Sequence, residues 1–408
     1  MEATHEQTAQ CTTRSNQHLT RELGRFATFA ELRRSDAYRA REAELKRLLN
    51  EPKVYRSTDA RPRLKSFLRV VEWNIERGAR LEGIIEALNS HPLLRYADLL
   101  LLNELDCGMV RSGNCNVALE LSRALEAHAV YGVEYLEFTK GTGDELHLPG
   151  ENTAALHGNA ILTRYPIFNP QIVRLPRCEN NFESDEKRLG GRAGILIDVE
   201  LAGKKLLAVT AHLDVVNTPR CRAKQMRALL EAAEARVNSN RQSSAGQAVI
   251  VGGDFNTHTF ARGGKLRSTR NTLLILSSGQ QNISRRLLNP QSKEPVLSCL
   301  AQFGYEVDAL NDHSATSRGI VSNLDDSKRV PGLIKWWVKR RVPPQGLLLE
   351  FRLDWFAARG LRALKAGELI DRATGAASVD PQTIHGLAHA GAPLSDHDPI
   401  VVDLSINN

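Results

Sequence analysis

The chain has 408 residues, 42% of them hydrophobic and 25% charged, the balance of a globular protein with a sizeable core, which excludes wholesale disorder. No stretch reaches the roughly 18–20 consecutive apolar residues of a membrane span, and the polar start has no apolar segment of the secretory kind. Lys and Arg number 54 against 47 Asp and Glu, and the excess is local: residues 257–350 hold 14 basic and 7 acidic residues, leaving 40 of each elsewhere. Such a segment suits a surface facing a polyanion, either nucleic acid or an anionic lipid headgroup, or equally a solvated, loosely structured insertion. The six cysteines show no C-x-x-C pair and no zinc-site spacing, which leads to the expectation of reduced thiols in a cytoplasmic protein.

In chain order, residues 1–20 are polar, and 21–50 place Phe26, Phe29, Leu32, Tyr38, Leu45 and Leu48 at helical spacing. The stretch Glu51–Ser66, with two prolines and several turn residues, reads as a linker, so that 1–66 form a helical extension and 67–408 the main domain. Strand-type and helical runs then alternate: a strand over 67–73, a helix near 80–89, a strand over 97–102, a helix near 115–127, strands near 130–138 and 158–163. Residues 193–201 and 205–213, separated by Gly203, predict an antiparallel hairpin. A helix over about 219–236 leads to the strand of QAVIVGGDFN, the basic insertion follows, and FRLDWFAARGL and DPIVVDLSI supply the last strands. Mixed strands interleaved with helices indicate a layered α/β sandwich.

The residues able to do chemistry stand at strand ends, where loops meet a rigid sheet. Asn74 ends one strand, Glu104 follows ADLLLLN, His212 and Asp214 end KLLAVTAHLD, and Asp254 and Asn256 end AVIVGGDFN. Asp354 lies in FRLDWF, and Asp396, His397 and Asp398 precede the last strand. Hard cations such as Mg²⁺ take oxygen ligands shared between one or two carboxylates and substrate phosphate, so this set suits a metal-assisted phosphoryl site. An imidazole beside a carboxylate can take the proton of an attacking water. Singly, each of these residues could equally be a turn former or helix cap, and Asp98 and Asp106 read as such bland positions.

As an ordered set, WNIERG, NELD, HGNAILTRYPI, TAHLD, GGDFN, FRLDWFAARGL and SDHDPI resemble the endonuclease/exonuclease/phosphatase superfamily over roughly 67–406. The resemblance implies a four-layered α/β sandwich, two packed mixed β-sheets flanked by helices, with a divalent-metal phosphoesterase site at one end. It implies Glu104 as the main Mg²⁺ ligand, with Mn²⁺ as a substitute and Asn74 and Asp396 close to the metal. Asp254 and Asn256 match the pair that positions the water and holds the scissile phosphate, and His212 the histidine that donates to phosphate oxygens. His397 oriented by Asp354 matches the dyad that handles the proton, and His397 is preferred over Asp254 as general base. Asn159 and Arg192 flank the implied cleft, where the guanidinium could hold phosphate oxygens.

Asn103-Glu104-Leu105-Asp106 departs from the Q-E-T/S sequence of the abasic-site repair nucleases, which weakens that assignment, and the chain looks more like a less characterised bacterial group. The reading is a phosphodiesterase, nuclease-like, in preference to a monoesterase. A phospholipid or inositol-phosphate hydrolase is the alternative, as is a catalytically silent polyanion binder. In the insertion, KWWVKRR joins two tryptophans to four basic residues, a composition that suits base stacking, a headgroup interface or packing onto the core. The oligomeric state is not legible.

Overall fold

The computed structural model describes residues 16–178, 180–201, 203–239, 247–260, 265–278, 280–320 and 348–406. Apolar residues at helical spacing build α1 (16–24), α2 (Phe29–Arg34) and α3 (Asp36–Asn50). Thr28 and Ser35 cap α2 and α3 by accepting backbone N–H groups, which is what ends one helix and starts the next within two residues. The expected linker contains a strand, β1 (Lys53–Tyr55), which pairs with the edge of a sheet. It was hidden because three residues carry no period. The remaining strands are β2 (Leu68–Arg77), β3 (Leu99–Cys107), β4 (His128–Glu137), β5 (Leu156–Thr163), β6 (Ile167–Arg174), β7 (Arg188–Gly190), β8 (Ala193–Leu201), β9 (Lys204–Ala211) and β10 (Ala248–Asp254). They continue with β11 (Ser317–Ile320), β12 (Leu348–Phe351), β13 (Asp354–Arg359), β14 (Gln382–Thr383), the short hairpin β15 (Ala388–His389) and β16 (Ala392–Pro393), and β17 (Ile400–Leu404).

The larger sheet runs β1-β4-β5-β3-β2-β17-β14 with β7 on β4, and the smaller runs β13-β10-β9-β8-β6. Both mix parallel and antiparallel pairs; β8 and β9 form the expected hairpin. Side chains alternate across each strand, so Val70, Leu99, Leu101, Val130 and Ile161 face Ile195, Ile197, Ala208, Ile250 and Phe356 between the sheets. The opposite faces pack on helices. Val71, Trp73 and Ile75 join a cluster with apolar residues of α1–α3, α4 (Leu81–Ser90) and α5 (Val117–Ala124). Val209, Val249 and Val251 meet α6 (Pro219–Ser239) and α9 (Pro295–Gln302). Helix, sheet, sheet, helix is the four-layered sandwich.

Part of the basic segment is folded: α7 (Lys265–Ser278), α8 (Gln280–Leu288) and α9 precede β11, and Val296, Leu297 and Leu300 of α9 are buried against the smaller sheet. KWWVKRR lies outside the described residues. Cys178 and Cys221, expected as thiols, are joined in a disulfide across 43 residues, while Cys107, Cys115 and Cys299 are free. The spacing gave no hint because the fold, not local sequence, brings the β6–β7 loop to the start of α6. This removes the cysteine-based argument for a reducing compartment. Among the described residues, no helix is long and apolar enough to cross a membrane.

Candidate active site

The polar alternation of the inner strands changes character at one end of the sandwich, where apolar side chains give way to Glu72 and Asn74 on β2, Asp254 on β10 and Asp354 on β13. Asp254 and Asp354 are direct partners across the β10–β13 pair, which sets two carboxylates side by side. The two glycines before Asp254 are steric requirements. A Cβ on Gly252 would lie 2.7 Å from Leu101 between the sheets, and one on Gly253 would lie 2.0 Å from the Ala211 carbonyl.

Glu104 reaches this end through a bulge. Leu102 pairs with Ala160 but Leu105 with Gly158, so two residues of β3 oppose Asn159 alone, and Glu104 takes a left-handed φ of 56°. Such a conformation costs a non-glycine residue about 1–3 kcal/mol and is kept where the surroundings over-determine it. Here the Glu104 N–H donates to Asn159 Oδ1 (3.4 Å), and neighbouring Asn103 accepts the Asp254 N–H at 2.7 Å. Asn256, at φ 50°, is held by its side-chain donation to the Leu213 carbonyl and its N–H to Asp254 Oδ1, both 2.9 Å.

Six of the expected residues converge. Asn74 Nδ2 donates to Glu104 Oε1 (3.1 Å) and Asp254 Oδ2 (3.2 Å). His212 places Nε2 3.3 Å from Asp254 Oδ2 and Nδ1 3.9 Å from Glu104 Oε1. His397 Nδ1 is 2.8 Å from Asp354 Oδ2, and its Nε2 is 3.9 Å from Asp254 Oδ2. Ser395 fixes the turn that carries His397, accepting its N–H and donating to the Asn74 carbonyl. Asp396 is exposed beside them; its charge acts on Glu76 and His397, and among the described residues no hydrogen bond or ion pair joins it to Glu104 or Asn74.

Two expected residues are placed differently from the rest. Arg192 is buried, with Nη1 2.8 Å from Glu134 Oε2 and Nε 3.5 Å from Asp214. Asn159 donates to Glu134 Oε1 and the Ala193 carbonyl while accepting from Glu104. Their polar groups bond within the protein, to Glu134, Asp214, the Ala193 carbonyl and the Glu104 N–H.

The electrostatics follow from packing like charges out of water. Burial and the Asp354 charge push the Asp254 carboxyl up to about 7. Burial lowers His397, but Asp354, Asp396 and Asp254 outweigh it and raise the imidazole well above its ordinary range. Burial, with Arg192 and His157 nearby, keeps His212 well below that range and so neutral. Burial raises Glu104, yet His157, Arg77, the Asn74 bond and Arg192 together hold it below the usual carboxylate value. Glu104 keeps 24% side-chain exposure, so it is the carboxylate a cation can reach.

These donors fit a hard divalent ion. Glu104, Asp254 and the Asn74 amide supply oxygens, His212 Nδ1 is buried without a hydrogen-bond partner among the described residues, and Asp254, Asp354 and His397 bring ligand atoms within 4.8 Å of one another. Asn74, as placed, turns its Nδ2 to the carboxylates while its Oδ1 accepts the Glu76 N–H, so binding through oxygen requires its amide to rotate.

Sequence reasoning missed three groups. Glu72 is fully buried with both carboxylate oxygens unpaired among the described residues, and burial and the Asp354 and Asp254 charges raise it well above its ordinary value. Its position two before Asn74, hence on the same face, was the available signal. Asn103 ties the two sheets together. Asp106, taken as bland, binds His157 Nδ1 (2.8 Å) and accepts two bonds from Arg111 (2.8 and 3.0 Å).

Two packed sheets between helical layers, with carboxylates, amides and imidazoles gathered at one mouth, define a four-layered α/β sandwich with a polar site at one end. The Endonuclease/Exonuclease/phosphatase family profile matches residues 71–397, and the chain belongs to that family. No curated protein matches. Solved structures similar to it include an endonuclease/exonuclease/phosphatase from Beutenbergia cavernae, at 16% identity over 84% of this chain and 72% of that one, with a TM-score of 0.46. The human Nocturnin catalytic domain with bound sulfate is 16% identical over 87% and 97%, TM-score 0.43. D. rerio TDP2 with a single-strand DNA product is 14% identical over 83% and 99%, TM-score 0.41.

Proposed function

We propose that the chain is a divalent-metal-dependent phosphodiester hydrolase acting by in-line attack of water. The observation that carries this is the meeting of Asn74, Glu104, His212, Asp254, Asp354 and His397 within one buried constellation at the mouth of the sandwich. Glu104 would hold the metal, with Asn74 through its rotated amide and Asp396 from the exposed side. Bound Mg²⁺ or Mn²⁺ supplies charge that polarises the phosphoryl group and keeps the surrounding carboxylates ionised.

The chain's own residues do the rest. The three carboxylates favour the charged form of His397 in the metal-free site, a bound cation's positive charge would favour the neutral ring, and in that neutral form His397 Nε2 would take the proton of the water, while Asp354 stabilises the imidazolium that forms. Asp254, 3.9 Å away, orients that water, and Asn256, fixed by two hydrogen bonds, keeps the Asp254 carboxylate in place. His212 is neutral and carries a single proton, which it presents to a phosphate oxygen as negative charge develops. A diester is preferred over a monoester because the basic excess in 257–350 suits an extended anionic substrate, nucleic acid first.

The test is hydrolysis of bis-(p-nitrophenyl) phosphate and p-nitrophenyl phosphate by metal-stripped protein, with and without Mg²⁺ or Mn²⁺, beside Glu104→Ala. Metal-dependent turnover that favours the diester and disappears in the variant is expected. Metal-independent turnover, or turnover surviving in Glu104→Ala, refutes the assignment.

A further inference from the structure

His397 is not the only imidazole backed by a buried carboxylate at this mouth. His157, on β5, is buried, and its Nδ1 lies 2.8 Å from Asp106 Oδ1. Asp106 is fully buried and acceptor-only when ionised; two bonds from Arg111 and one from Ser112 Oγ (3.2 Å) fix its orientation. The proton between the pair therefore sits on Nδ1, and His157 Nε2 is left without a hydrogen-bond partner among the described residues. Arg111 is itself anchored by Glu186 at 2.6 Å. So much buried polar structure behind one ring edge is what holds a reactive imidazole in a fixed orientation.

The sheet order gives this edge a direction. Across the larger sheet the strands run β5, β3, β2, β17, and the chemistry-bearing residues run with them: His157, Glu104, Asn74 and, just before β17, His397. Three strand spacings, about 14 Å of backbone, separate the two dyads, with Glu104 between them. His157 is the cross-strand partner of Asp106 and lies two residues from Asn159, which opposes Glu104, so its ring shares the inner face on the flank away from His397. In an in-line displacement the attacking and leaving oxygens occupy opposite sides of phosphorus.

We propose that His157 is the leaving-group acid of this site, its Nε2 facing the departing oxygen on the flank opposite the His397–Asp354 pair. The inference rests on the phosphodiesterase reading above. Water oxygen bonds to phosphorus as the ester P–O bond breaks; the electron pair of that bond goes to the departing oxygen, which takes the Nε2 proton of His157 in its imidazolium form, the Nδ1 proton staying on the ring against Asp106. The water proton goes to His397, and each histidine returns to its starting form by exchange with solvent. Water is the only co-reactant.

The experiment compares bis-(p-nitrophenyl) phosphate, whose leaving phenolate needs little protonation, with diphenyl phosphate, whose phenolate is more basic. Wild type is measured beside His157→Gln and His157→Asn. The glutamine amide reproduces a donor near Nε2, and the asparagine amide keeps the bond to Asp106, so one variant retains the buried network if the other misfolds; neither can transfer a proton. We expect less than about threefold loss on the nitrophenyl ester and a loss of roughly 10²-fold or more on the phenyl ester, the lower end of general-acid contributions. Equal losses on both esters, or none on either, overturn the leaving-group role while leaving the hydrolase standing. Absence of wild-type turnover on both esters overturns the hydrolase and this role together.

Discussion

Replacing Asp254 by asparagine separates what the site costs from what it does. In the folded, metal-free protein the carboxyl is raised from its ordinary 3.8 to about 7 by burial and by Asp354. A raised carboxyl favours the folded state fully below the unfolded value, and that advantage is lost as pH climbs through the folded value. At 1.36 kcal/mol per pH unit, the raised value costs about 4 kcal/mol of stability at pH 8 and about 2 kcal/mol at pH 5, where only the unfolded chain ionises the group. Asp254→Asn removes the ionisation, retains an oxygen for the Asn256 N–H, and sets an amide donor against Asn74 Nδ2, a mismatch of about 1 kcal/mol. The variant should therefore be inactive yet more stable than wild type by about 3 kcal/mol at pH 8 and about 1 kcal/mol at pH 5. Urea denaturation of EDTA-treated protein at the two pH values measures both differences. A variant less stable than wild type at pH 8, or an advantage independent of pH, refutes the assignment of this strain to Asp254.

Two further outcomes follow from single contacts. Asp354→Asn leaves the His397 ring without its carboxylate and should lower kcat by 10²- to 10⁴-fold with KM little changed, read in steady-state kinetics on the diester; a loss under tenfold removes the dyad from the mechanism. Cys178→Ser with Cys221→Ser opens a 43-residue loop and should cost up to about 4 kcal/mol in urea denaturation, an effect that dithiothreitol reproduces in wild type and that is absent if the pair carries no stability.

The fold was legible wherever a run of apolar residues is long enough to show its period. Leu68–Arg77, Leu99–Cys107, the β8–β9 pair and α6 all fall within a few residues of expectation, because strands covered on both faces read as near-continuous apolar runs. β6, written IFNPQIVR, escaped because it is a half-exposed edge strand with a proline and a register shift against β8. α7 and α8 lie in the stretch read only as a basic insertion, and the disulfide joins residues that only tertiary folding brings together.

The site was legible for a different reason, and failed for a related one. Residues at strand ends inherit a place from the strand, so Asn74, Asp254, Asp354 and His397 could be grouped once the strands were read and the family motifs recognised. The internal partners of Asn159, Arg192 and Asp106 were not legible, because their environment is set across strands and not along them. The bulge that inserts a residue at Glu104 decides that Asn159 opposes it, that Asp106 faces His157, and that both point between the sheets. One residue fewer in β3 would send Asp106 to the helical layer, since side chains alternate with a period of two. The same local insertion thus turns Glu104 outward and aligns a second histidine–carboxylate pair with it, a coupling that no single motif contains.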